Sequence, residues 1–140
     1  MKAQLALIAG ASLVLLAVSA YAHHPFAAEY DWTKPVTLTG TVTKIEWTNP
    51  HAMLYIDGKD QNGQTKKWTL EMGNPAALLR AGWRRTTLKM GDQVTVEGWL
   101  SKSKDDKVNV KSVKLADGRE LSGVSSIGDV KQATNKPISN

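Results

Sequence analysis

"VTLTGTVTKIEWT", residues Val36–Thr48, decides the fold. Val36, Leu38 and Val42 share one face of an alternating strand, and Ile45 and Trp47 continue with the opposite parity. Side chains alternate with period two, so the phase can change only where a residue is inserted. The pattern therefore predicts a bulge at Thr43 and Lys44. Gly40 permits strong curvature. A long strand that bends in this way can serve both sides of a small closed sheet.

The flanking segments carry the same period. In "AMLYID", Leu54 and Ile56 face one way, Met53 and Tyr55 the other; "DGKDQNG" is turn chemistry. "KKWTLEM" turns Trp68, Leu70 and Met72 inward. The period then changes. In "GNPAALLRAGW", Asn74 caps, Pro75 suits the first helical position and Gly82 the left-handed exit. This predicts a short helix near 75–81, held by packing through Leu78 and Leu79. "LKMGDQVTVEGWL" turns at Gly91-Asp92 into a strand with Val94 and Val96 buried. "KVNVKSVKL" follows, with a second bulge between Val110 and Val113, and Asp117-Gly118 turns into a brief strand, "REL".

The order is three strands, a helix and two strands. It predicts a mostly β, five-stranded OB-like Greek-key barrel with one short helix between strands 3 and 4. A small sandwich is the alternative. The barrel spans 36–121, the five tryptophans supply bulk for its core, and no repeat or second domain is visible.

The ends read differently. "MKAQLALIAGASLVLLAVSAYA", residues 1–22, has a short positive end, an apolar stretch and the small-x-small cleavage pattern Ala20-Tyr21-Ala22. It predicts a cleavable signal peptide and a periplasmic protein with no membrane span after cleavage. A cut after Ala20 fits less well, because Val18 then takes the outer small-residue site. The chain has no cysteine, so thiolate metal sites are excluded and a lipid-attached lipoprotein is not expected. Removing 22 of 140 residues leaves 118, with 17 basic and 13 acidic side chains and a net charge of +4. That balance is compatible with nucleic acid, which export disfavours, or with solubility and a nearby anionic surface. Residues 23–35 read as an irregular segment whose Phe26, Tyr30 and Trp32 dock on the barrel. Residues 122–140 read as a disordered tail.

The candidate chemistry lies in three histidines: His23, His24 and His51. Cleavage after Ala22 gives His23 a free amine, and amine and imidazole of one residue chelate a metal as a pair. His51, between the first two strands, borders the usual OB ligand face and adds a second imidazole, completing a histidine brace. Imidazole suits copper, zinc and nickel, and Cu(II) binds nitrogen sites tightest. Met53, Glu46 and Glu71 are weaker candidates, offering a thioether and two carboxylates. The opposing reading is solvated N-terminal histidines and a turn histidine after Asn49-Pro50. No serine-histidine-acid signature, Gly-rich phosphate loop or HExxH occurs, and a redox enzyme would need a substrate cleft besides. Arg80, Arg84 and Arg85 beside Trp83 read first as a helix end complementing the dipole, second as a site for an anion or a partner. Trp47 and Trp99 read as packing before ligand stacking.

"HHPFAAEYD", "GTVTKIEWTNPHA", "LEMGNPAALLRAGW" and "LKMGDQVTVEG" together resemble a family of small exported bacterial proteins catalogued as a domain of unknown function. The resemblance covers nearly all of 23–121. It implies export and a compact β-rich domain, and carries no established activity. An aromatic often stands in that family where this chain has Met53, which favours the histidines over the thioether. The expected function is a periplasmic binding module handling copper through His23, His24 and His51. The alternative is a non-metal module for a protein, peptide or small ligand.

Overall fold

The structure is a computed structural model, and it describes residues 26–127. A single helical turn, α1 (Phe26–Glu29), leads directly into β1 (Tyr30–Glu46). β2 (Met53–Lys59), β3 (Thr65–Glu71), α2 (Pro75–Arg80), β4 (Gln93–Ser101), β5 (Lys107–Leu115) and β6 (Glu120–Ser122) follow. β1 pairs antiparallel with both β2 and β4, β2 with β3, and β4 with β5. A parallel pairing of β3 with β5 completes the circuit, giving a barrel-like closure with OB-like connectivity. β6 adds to the outer side of β5.

Both predicted bulges are present. The β1–β2 register shifts between Val42 and Lys44, so Thr43 is the inserted residue. The β4–β5 register shifts between Glu97 and Gly98, which leaves Lys111 unpaired on β5. Each bulge lets one strand keep its apolar residues inward while the sheet coils. The inward set, including Leu38, Leu54, Ile56, Leu70, Val96 and Val108, is fully buried. Coiling also brings backbones close. A Cβ on Gly98 would lie 2.2 Å from the Asn109 carbonyl oxygen, so only glycine fits there.

α2 forms as its sequence dictates. The Asn74 side chain accepts from the Ala77 N–H at 2.9 Å, Pro75 begins the helix, and Gly82 leaves it at φ 98°. Six residues cannot hold a helix by themselves. Leu78 anchors this one in the core, and Leu79, expected to help, is 42% exposed. A six-residue helix lying on a barrel has only one inward row. Asn74→Ala removes the cap and is expected to cost about 1 kcal/mol in urea unfolding. An unchanged midpoint would count against the cap.

Two boundaries, and the placement of several aromatics, differ from the sequence reading. Strand pairing reaches back to Tyr30, which lies opposite Ser101, so the segment before residue 36 is largely strand with a register break between Tyr30 and Pro35. Phe26 and Tyr30 dock and are buried, whereas Trp32 is 60% exposed. Only Trp68 and Trp83 of the tryptophans belong to the core, with Trp47 packed at its margin. The chain also stays on the barrel past Ser122. Gly73 N–H donates to the Gly123 carbonyl at 2.8 Å, and Gly123 N–H donates to the Lys111 carbonyl at 2.8 Å. The rest of the predicted tail, 128–140, and the predicted leader with His23 and His24 lie outside the described residues.

Candidate functional site

A single row of cross-strand partners organises the site. Glu46 pairs with Met53, Met53 with Glu71, Glu71 with Asn109, and Asn109 with Trp99. These residues alternate with the core set and so lie on the outer face. The row runs around one end of the barrel, beside the β1–β2 loop (47–52) and the β4–β5 loop (102–106). Three of the sequence candidates, Glu46, Met53 and Glu71, are therefore neighbours although 25 positions separate the outer two, from 46 to 71. Glu46 itself is taken up locally: the Tyr55 hydroxyl donates to it at 2.9 Å and Lys44 pairs with it. Those two bonds hold its carboxyl below the usual carboxylate range.

Glu71 is the hub. Its side chain is 10% exposed, and both oxygens are engaged. Oε2 accepts from the Tyr30 hydroxyl at 2.8 Å and from the Lys107 ammonium at 3.0 Å. Oε1 faces His51 Nδ1 at 3.5 Å, an ion-pair distance rather than a tight hydrogen bond. Lys107 also pairs with Glu29, which ties α1 to β5. Burial works against the Lys107 charge, but the Glu29 and Glu71 carboxylates outweigh it and raise the ammonium above its ordinary value. Burial, then the Glu71 and Glu29 carboxylates, push the Tyr30 hydroxyl far above the phenol range. Tyr30 is thus a fixed proton donor to Glu71.

The N-terminal arm lies over the same row. Phe26 packs edge-on against Trp99, with ring centroids 5.6 Å apart, and 5.5 Å from the Tyr30 ring. Lys102 N–H donates to the Glu29 carbonyl at 2.9 Å. The arm is therefore fastened at Trp99, at Lys102 and at Glu71. His51 follows the cis Asn49-Pro50 peptide, and its side chain is half-exposed beside the buried carboxylate. The structure brings His51 and Met53 to either side of Glu71, and the arm reaches the same carboxylate through Tyr30. Sequence reasoning missed Lys107, Glu29 and Asn109. Lys107 and Asn109 alternate with Val108 and Val110, which marks them as outward, but nothing local marks them as partners of Glu71.

Next to the hub lies a shallow depression of about 210 Å³ lined by Met53, Thr69, Lys104, Asp106 and Lys107. It sits on β2 and β3 at the mouth of the β4–β5 loop, the surface that OB barrels use for ligands. Among the described residues, no three His, Asp or Glu side chains gather into a metal site. No helix among them is long and apolar enough to cross a membrane.

Fold and site together define a small OB-like barrel with a strapped outer face. The chain belongs to the Family of unknown function (DUF6152), whose model matches residues 10–114. No curated protein and no solved structure matches it.

Proposed function

We propose that this chain is a small periplasmic metal-binding module, with copper the metal its donors favour. Signal-peptide cleavage after Ala22 makes His23 the first residue. Its amine and ring, together with the His51 ring, supply the nitrogen donors; His24 is the alternative ring from the same segment. Nitrogen donors favour Cu(II), with zinc and nickel as weaker competitors.

One observation carries this reading: a single buried carboxylate serves both halves of the site. Glu71 accepts from Tyr30, which anchors the arm leading back to His23, and faces His51 Nδ1 at 3.5 Å. A carboxylate at one imidazole nitrogen is the usual partner of a metal-ligating histidine, because it orients the ring and directs the other nitrogen to the metal. On this reading Glu71, already engaged at both oxygens, positions rather than ligates. His23 stands three residues before buried Phe26, a reach of about 10 Å in extended chain.

The test is intact mass of the untagged exported protein, followed by calorimetric titration with Cu(II). The mass is expected to begin at His23, and copper is expected to bind one to one. A retained leader, which leaves no free amine on His23, or a chain that takes up no Cu(II), overturns the proposal.

The depression at Met53, Thr69, Lys104, Asp106 and Lys107 favours a second reading. Here the module binds a small polar ligand or a peptide on the barrel face, without metal. Retained ligand binding in a His51→Ala variant would separate the two.

A further inference from the structure

A different face carries a second kind of chemistry. The nineteen residues from Gly73 to Gly91 contain no aspartate or glutamate but four cations: Arg80, Arg84, Arg85 and Lys89. Leu78, Trp83 and Leu88 pin the segment to the core, and Trp83 Nε1 donates to the Ser122 carbonyl at 2.8 Å. Residues 83–91 run back along the second half of β1. Gly91 N–H donates to the Val42 carbonyl at 2.8 Å, while Trp83 packs on Trp47 at 6.5 Å. The cations are thus displayed on a fixed support.

Two of the four are already used. The Arg84 guanidinium donates to the Leu79 and Trp83 carbonyls at 3.3 and 2.7 Å, capping the end of α2. Arg85 lies over the Trp47 ring at 5.6 Å. Among the described residues no carboxylate pairs with Arg80 or Lys89. Each of these two stands next to an exposed apolar side chain: Arg80 after Leu79, and Lys89 before Met90, which is 77% exposed. A cation beside a protruding apolar group, repeated on a rigid loop, is the arrangement that seats a protein on an anionic bilayer. The charge is drawn to the headgroups, and the neighbouring side chain enters the acyl boundary.

We propose that the segment 79–90 is a peripheral docking surface for an anionic phospholipid bilayer. An acidic protein partner fits less well. Fork-shaped recognition of carboxylates needs arginine guanidinia, and the segment offers only one that is not already in use, that of Arg80, since Arg84 caps α2 and Arg85 lies over Trp47. A bilayer demands no fixed pairing, which suits the exposed ends of Arg80 and Lys89. Docking through this face needs no metal and does not depend on the proposed copper site.

The experiment is vesicle co-sedimentation of protein purified from the exporting cell, with parent and variants compared in the same processed form. One set of vesicles contains equal parts phosphatidylglycerol and phosphatidylcholine, the other phosphatidylcholine alone, both at low salt. The parent is expected to bind only the anionic vesicles. Arg80→Gln with Lys89→Gln should weaken that binding by roughly 25-fold, about fivefold for each charge. Leu79→Ser with Met90→Ser keeps every charge and should weaken it about tenfold, through lost apolar insertion. These four side chains are exposed or half-exposed, so circular dichroism melts are expected to match the parent. Equal binding to both vesicle types overturns the proposal. So does parent-like binding by the charge variant. Parent-like binding by the apolar variant, meaning attraction by net charge alone, overturns it as well.

Discussion

Replacing Glu71 with alanine is expected to destabilise the barrel by about 3 kcal/mol. The carboxylate is buried, and it satisfies the Tyr30 hydroxyl and part of the Lys107 charge. Its loss strands a buried phenol donor and leaves Lys107 with Glu29 alone. Glu71→Gln keeps the shape and one acceptor oxygen, so its expected cost is about 1 kcal/mol. Both are read by urea unfolding followed by tryptophan fluorescence. A double-mutant cycle with Tyr30→Phe isolates the arm's share, and a coupling above about 0.5 kcal/mol is expected for groups in direct contact. If Glu71→Ala unfolds within a few tenths of a kcal/mol of the parent, the hub holds neither arm nor barrel. The reading of His51 as positioned by it then loses its support.

The second large effect concerns copper. His51→Ala should weaken Cu(II) binding on the order of 100-fold or more, because it removes a donor ring and not only its orientation. Met53→Leu should change it far less, since the thioether lies on the row beside Glu71 without a role as nitrogen donor. One alanine inserted between Ala22 and His23 should do damage similar to His51→Ala, by moving the amine off the residue that carries the ring. Glu71→Gln falls between, at about 10- to 100-fold, as expected for a group that orients a ligand. Calorimetry on untagged protein ranks the four variants. Parent-like affinity in both His51→Ala and the insertion ends the brace proposal. An effect of Glu71→Gln with none from His51→Ala would move the metal elsewhere on the face.

Glu71 shows where sequence reading stopped. In "KKWTLEM" its outward parity was legible, and with it the alternation that buries Trp68 and Leu70. Its near-complete burial was not, because the cover comes from Tyr30, 41 positions earlier, and Lys107, 36 positions later. Trp32 shows the converse. It has the same aromatic signal as Phe26 and Tyr30, yet it stands in the register break between Tyr30 and Pro35 and points to solvent. A strand pattern predicts facing only while its pairing is regular.

What the sequence by itself determined was local and periodic. The bulges at Thr43 and before Val113 follow from parity changes, the cap at Asn74 from its side chain, and the order of elements from where the period switches. Those features obey short-range sterics and hydrogen bonding, which neighbouring residues settle among themselves. Only the tertiary structure decided that Glu46, Met53, Glu71, Asn109 and Trp99 form one row, and that the arm crosses it. That row requires the parallel pairing of β3 with β5, a contact between strands separated by a helix and another strand. Pairing of that kind depends on how the whole sheet coils and closes, and no stretch of residues encodes it alone.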